Sequence, residues 1–367
     1  MVASRMLHPL HERHADLLVG YCVAVRPGEW VALHVEAPAL PMARALTRSV
    51  LRAGGRPVLR LGYPEFVEDV VELAPDAYFD AEPLLELDEI RRLDARIRVS
   101  APSNSRALQA ADKGRLARLA RQAKPVQDLA MTRTRWVGTL FPTESAAQDA
   151  GMGLTEFERF VYDAMFLLDD DPVARWGELR ALQARLIERL ALADEVRLVG
   201  PGTDLRLSVK GRTWVNSDGR RNMPSGEVFT GPIEDSAEGV VTFDLPSGVG
   251  GVVVRGVRLR FEAGRVVEAT ADEGQDLLHA RLDTDAGARF LGELGIGTND
   301  RIVRPILNTL YDEKIGGTVH LALGRGYPET GGTNDSAIHW DLITDLRRGG
   351  ELLLDGEPFL RDGRFLA

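Results

Sequence analysis

The chain of 367 residues has one cysteine, Cys22. A single thiol excludes an intrachain disulfide and any thiolate-cluster metal site, so a metal would have to be held by oxygen and imidazole. Long apolar runs are missing as well: nothing approaches the ~20 residues that cross a bilayer. The opening stretch, MVASRMLHPLHERHADLL, places histidines and charges where a signal peptide needs an uninterrupted apolar segment. The expectation is a cytoplasmic protein with no membrane partner. Basic residues are not in excess either. With 45 Lys and Arg against 55 Asp and Glu the net charge is −10, which disfavours nucleic acid as a partner. Histidines are few. Of seven, His8, His11, His14 and His34 fall near the start and His279 lies in a polar helical pattern, which leaves His320 and His339.

What is present reads as an ordinary globular protein, 44% apolar and 27% charged, long enough for two domains. Up to about residue 190, strand and helix patterns alternate. Leu7 to Val25 has helical spacing and ends at the turn Pro27-Gly28. WVALHVE (Trp30 to Glu36), PVLRLG (Pro57 to Gly62), Ala95 to Ala101 and Arg135 to Leu140 read as strands, with helices over Pro38 to Arg52 and around Lys113 to Gln122. Such alternation predicts a mostly parallel sheet covered by helices. Long helical patterns follow over Leu154 to Leu168 and Pro172 to Ala193; the acids Asp169, Asp170 and Asp171 between them read as a solvated helix start rather than a calcium loop.

From Glu195 the character changes. VRLVGPGTDLRLSVKGR, GVVTFDLP and VVVRGVRLRFEAGRVVEAT alternate apolar and polar residues between Gly and Pro turns, the signature of half-exposed antiparallel sheet. The fold class expected is therefore an α/β domain over 1–190 followed by a mainly antiparallel β domain with helices over 191–367. The glycines of PSGVGG and GPGTD lack the setting of a phosphate loop and read as turns. Ala280 to Leu294 is expected to be a helix carrying Glu293 near its end.

The chemistry concentrates in the second region. If IHWDLIT is a strand, His339 and Asp341 project to one side and Trp340 to the other, giving half a site for a divalent metal. Glu227 in NMPSGEVFTGP, Glu293 in LGELGIG, His320 in GGTVHLALG and Tyr327 in GRGYP stand in similarly glycine-rich surroundings. Each alone has a plain structural explanation: a solvated acid, a hydrogen-bonded core histidine, a packed tyrosine. Together they form a candidate oxygen and nitrogen donor set.

At these residues the chain resembles the M29 metallo-aminopeptidases, the aminopeptidase T and aminopeptidase S type. The matching stretches are NMPSGEVFTGP, GELGIGTN, GGTVHLALGRGY and IHWD, extended by GTDLRLSVKGRTW and TRWVGTLFPTESAAQDAG. The resemblance implies metal ligands at Glu227, Glu293, His320, Tyr327, His339 and Asp341. It further implies two divalent ions per chain (zinc, cobalt or magnesium), short peptide substrates cut one residue at a time from the N-terminus, and a homodimer. The chain is shorter than the family members, with a tighter segment from Tyr327 to His339. Six ligands exceed what one catalytic zinc takes and suit two metals sharing a carboxylate, which would acidify a water for attack on the peptide carbonyl. Glu293 is the preferred general base and Glu227 the second choice; Glu238, Asp312 and Glu313 are further acids, and Arg325 could orient a carboxylate or an oxyanion. Two competing readings use fewer of these residues. His320, His339 and Asp341 alone would make a mononuclear iron site of the ring-cleaving dioxygenase kind, and a binding protein without catalysis would need none of them as ligands.

Overall fold

The computed structural model describes residues 8–63 and 65–366, so Leu7, where the first helical pattern begins, lies outside the described residues. The chain divides into two compact units, one of Met1–Val173 with Gly219–Pro224 and one of Ala174–Asp218 with Ser225–Ala367. The helix Pro172–Leu190 falls almost wholly in the second unit, where the sequence pattern had grouped it with the first. Its Leu186 and Leu190 explain the assignment, because they are buried in the core of the β-rich unit.

In the first unit five strands form a parallel sheet in the order Arg56–Gly62, Trp30–Glu36, Ala95–Ser100, Arg135–Leu140 and Asn222–Met223. Val31, Ala32, Leu33, Ile97 and Val99 are buried, as expected for inner strands of a sheet covered on both faces. The helix expected around Lys113 to Gln122 runs on to Arg133 with Pro125 inside it. Asp112 caps its start by accepting from Arg115 N, and Thr134 closes its end through N and Oγ1 on the Ala130 carbonyl. These fixed ends outlast the loss of one internal hydrogen bond at the proline.

The second unit is built from antiparallel sheets. Eight strands form one of them, beginning with the hairpin Glu195–Gly200 and Thr203–Ser208 turned at Gly202. Five form another, in the order His339–Asp345, Thr318–Gly324, Leu291–Gly297, Glu227–Thr230 and Val215–Ser217. Both sheets contribute to a common core: Val196, Leu198 and Leu205 from the first meet Ile296, Leu321 and Trp340 from the second. The glycines of PSGVGG make a hairpin turn, with Gly250 and Gly251 at positive φ between the short strands Ser247–Val249 and Val252–Val254. Among the described residues no helix is long and apolar enough to cross a membrane.

The helix expected over Ala280 to Leu294 is not formed. A helix covers Gln275–Leu282, and Glu293 lies instead on the wholly buried strand Leu291–Gly297. The glycines explain the difference. A Cβ on Gly292 would stand 2.2 Å from the Arg325 carbonyl oxygen, one on Gly295 2.1 Å from the His320 ring, and one on Gly297 2.1 Å from the Ile315 carbonyl oxygen. Neighbouring chain approaches this strand too closely for any side chain at those positions, so tertiary packing overrides a local pattern that glycine already weakens.

Candidate metal centre

Alternation along the five-stranded sheet separates core from chemistry. One face carries Val228, Leu294, Ile296, Val319, Leu321, Leu323, Trp340 and Leu342 into the apolar core. Register places the other set side by side: Glu227 opposite Gly297, Gly295 opposite His320, Glu293 opposite Ala322, Ala322 opposite Asp341, and Gly324 opposite His339. Small residues thus alternate with ionisable ones, and the space that Gly295 leaves is filled by the His320 imidazole. A bulge between Leu291 and Glu293 shifts the register where the strand delivers its carboxylate, a common device beside functional sites.

Five of the six candidate ligands converge through their donor atoms. His320 Nε2 lies 3.4 Å from Glu293 Oε1 and 3.5 Å from Glu227 Oε2. His339 Nε2 lies 3.3 Å from Glu293 Oε2 and 3.5 Å from Asp341 Oδ1. Glu293 therefore turns one oxygen to each imidazole. Tyr327 joins them at the level of its ring, whose centre is 5.2 Å from that of His339 and 5.6 Å from that of Phe229. His320 is fully buried, and Glu227, Glu293 and Asp341 are nearly so.

The supporting contacts fix these groups. His339 Nδ1–H donates to the Arg325 carbonyl at 2.8 Å, which leaves Nε2 facing the carboxylates with a lone pair free for a metal when the ring is neutral. The buried Gln183 amide donates to the Glu227 carbonyl, the Ser217 carbonyl and Thr298 Oγ1, holding the start of the Glu227 strand. Gly226, at φ +116, passes so close to Asn299 that a Cβ there would stand 2.7 Å from the asparagine Cβ. Asn299 in turn donates to the Ser225 carbonyl and to that of Lys314.

Of the other polar residues singled out in the sequence, only Glu313 reaches the cluster. Its carboxylate shares a 4.8 Å neighbourhood with donor atoms of His320 and Asp341. Glu238 instead accepts from Ala263 N, and Asp312 holds a loop by accepting from Ile306 N and Asn308 N. The Arg325 guanidinium donates to the Ser336 carbonyl, so it is the main chain of Arg325 that serves the site. Sequence reasoning missed Lys314. It is completely buried, with Nζ 3.1 Å from Glu227 Oε1 and in contact with Glu313 Oε1. Its only signal was its place in the run Asp312-Glu313-Lys314, which reads as a solvated turn.

Electrostatics marks the cluster as built for cations. Burial alone would lower both imidazoles, yet the hydrogen bond to Glu293 and the charges of Glu227, Glu293 and Asp341 push His320 up to about 9. Asp341 and Glu293 likewise overcome burial and push His339 up to about 12. Burial would raise Asp341, but the charge and hydrogen bond of His339 hold it well below the usual carboxylate range. Burial pushes Glu313 up to about 8 and, together with the nearby carboxylates, pushes the Tyr327 phenol well up. Protons on the imidazoles thus do the work that cations would do. Among the cluster's buried carboxylate oxygens Glu227 Oε2 makes no hydrogen bond and Asp341 Oδ1 has only His339 Nε2, at 3.5 Å, which is costly unless a cation completes them. Three groups of donors lie close enough together to hold an ion: Glu227, Glu293 and His320; Glu293, His339 and Asp341; and Glu313, His320 and Asp341.

An α/β unit followed by a β unit whose buried sheet face gathers carboxylates and imidazoles has the donor set of a metal-dependent enzyme. The family model described as thermophilic metalloprotease (M29) matches residues 8–365, and the chain belongs to that family. It is 30% identical to aminopeptidase 2 of Geobacillus stearothermophilus over 96% of this chain and 97% of that one. To aminopeptidase T of Thermus thermophilus it is 29% identical over 97% and 98%. The solved structure of wild-type AmpT from Thermus thermophilus superposes with a TM-score of 0.83 at 26% identity, covering 98% of this chain and 99% of that chain.

Proposed function

We propose that this metal-dependent aminopeptidase removes N-terminal residues from short peptides with two divalent ions held by Glu227, Glu293, His320, Tyr327, His339 and Asp341. The observation that carries the proposal is Glu293, whose two oxygens face different imidazoles and which two of the three donor groups share. Bound divalent ions would lower the pKa of a water towards neutrality and polarise the peptide carbonyl.

The chain's own groups would do the rest. Glu293 takes a proton from the attacking water and returns it to the departing amine as the C–N bond breaks, with Glu227 the alternative acceptor. His339, oriented through the Arg325 carbonyl, keeps Nε2 directed inward. A homodimer, which the family resemblance implies, and a cytoplasmic location belong to the same proposal. The test is metal content of the reconstituted protein together with hydrolysis of leucine p-nitroanilide. Close to two zinc, cobalt or magnesium ions per chain, with activity abolished in Glu227→Ala, is the expected result. One iron per chain and no peptide cleavage would overturn it in favour of the dioxygenase reading; a protein that takes no metal would be a binding protein.

A further inference from the structure

The cluster holds more carboxylates than the proposed ligand set uses, and a buried lysine sits between the two that could be confused. Lys314 Nζ is 3.1 Å from Glu227 Oε1 and also touches Glu313 Oε1, while Glu227 Oε2 turns towards His320 and makes no hydrogen bond. Glu313 is near enough to His320 and Asp341 to serve as a metal donor with them. A fully buried ammonium persists only where it is paired, and here the pairing costs each carboxylate one oxygen. The position of Lys314 is itself fixed. Its carbonyl accepts from Asn299 N and its amide donates to the Tyr311 carbonyl, so the main chain from which the ammonium extends is held in place.

The geometry points to Lys314 as a positioning residue that decides which carboxylates bind metal: it leaves Glu227 a single oxygen to give and holds Glu313 out of the ligand set. Glu313 then stays beside the ions as an unligated group. Without the ammonium, Glu227 would swing to bind through both oxygens and Glu313 would compete as an additional ligand.

This inference rests on the two-ion reading, and cobalt substitution separates the two. Cobalt(II) absorbs visible light more weakly as its coordination number rises, so the spectrum reports ligand number independently of turnover. Lys314→Met, which removes the charge and keeps the length, is expected to weaken the visible bands, to change metal affinity by roughly 10–100-fold and to leave the ion count unchanged. Glu313→Gln is expected to leave both spectrum and ion count as in the wild type, and adding it to Lys314→Met should restore much of the lost intensity. A wild-type protein that does not take two ions overturns the two-ion reading. A two-ion wild type whose spectrum is unmoved by Lys314→Met, or is moved by Glu313→Gln, overturns the role of Lys314 alone. Should Lys314→Met fail to fold, Glu313→Gln decides: an altered spectrum or a lost ion makes Glu313 a ligand and removes the need for a selector, and an unaltered one upholds the assignment.

Discussion

Two pairs of histidines, one in each unit, are drawn from water and end in opposite protonation states. In the first unit His14 is fully buried with Nε2 on Thr139 Oγ1 at 3.0 Å, and burial, reinforced by His11, brings it down to about 3. His34 is brought down to about 4 by burial and by Arg96, Arg98 and Arg60, which outweigh Glu89. In the second unit His320 and His339 meet the same penalty, yet carboxylates reverse it. Burial sets no charge state by itself. It raises the stakes, and the neighbours decide whether an imidazole enters the interior as a neutral packing group or as a cation held by carboxylates.

The comparison breaks most completely at Glu293. Glu293→Ala removes the carboxylate that faces both imidazoles, and leucine p-nitroanilide turnover should fall by more than ~1000-fold with loss of bound metal, the scale of removing a group used in the transition state. If turnover and metal content survived, the two donor groups would not depend on a shared carboxylate.

Metal exchange sharpens it next. In the metal-free protein both second-unit imidazoles carry a proton at pH 7, because their folded values lie near 9 and 12, and both must lose it to coordinate. Uptake of metal should therefore release about two protons per chain at pH 7, read by calorimetry in buffers of different ionisation heat. Without metal the sign of the pH dependence follows. These raised values stabilise the fold fully below the unfolded value of about 6.5, and that contribution is lost as pH rises through 9 and towards 12. Chelation should accordingly move the optimum stability of the second unit to lower pH.

The first unit should behave in the reverse sense. His14 and His34 have folded values below the unfolded one, so from pH 6.5 downward the unfolded chain takes up protons that the folded chain refuses. Hydrogen exchange of first-unit amides should show stability falling by up to ~1.4 kcal/mol per pH unit for each histidine, levelling near pH 4 for His34 and pH 3 for His14. His14→Gln should remove the slope that His14 contributes. The smallest effect is expected from an acid–base pair left in water. Arg197 and Asp204 form a two-bonded pair at 2.8 and 2.7 Å on the surface of the second unit, and Arg197→Ala should leave the urea midpoint of unfolding unmoved.

What the sequence made legible follows the range of the forces involved. Strands whose alternation is local, such as Trp30–Glu36 and His339–Asp345, could be read directly, and with the second came the placement of His339 and Asp341 on one side and Trp340 on the other. Glu293 was recognised as a candidate but placed on the wrong element, since three glycines in Leu291–Gly297 are there for neighbours distant in the chain. Lys314 was illegible for the opposite reason: a lysine beside two acids looks solvated unless Glu227, remote in sequence, is known to face it. The family resemblance supplied what local pattern could not, the expectation that Glu227, Glu293, His320 and Tyr327 belong to one set.

Gly295 carries a consequence for how this protein can vary. The position is defined by volume it does not occupy, since even a methyl group there would overlap the imidazole of His320 across the sheet. An alanine at 295 would replace no proposed ligand, add no charge and keep the strand, yet it would evict the His320 ring from its seat. Swapping one carboxylate for another is a graded change by comparison. In a mutational scan of this sheet, the residue with the least chemistry should prove among the least replaceable, and a designer borrowing the site would have to carry over the missing atoms as faithfully as the ligands.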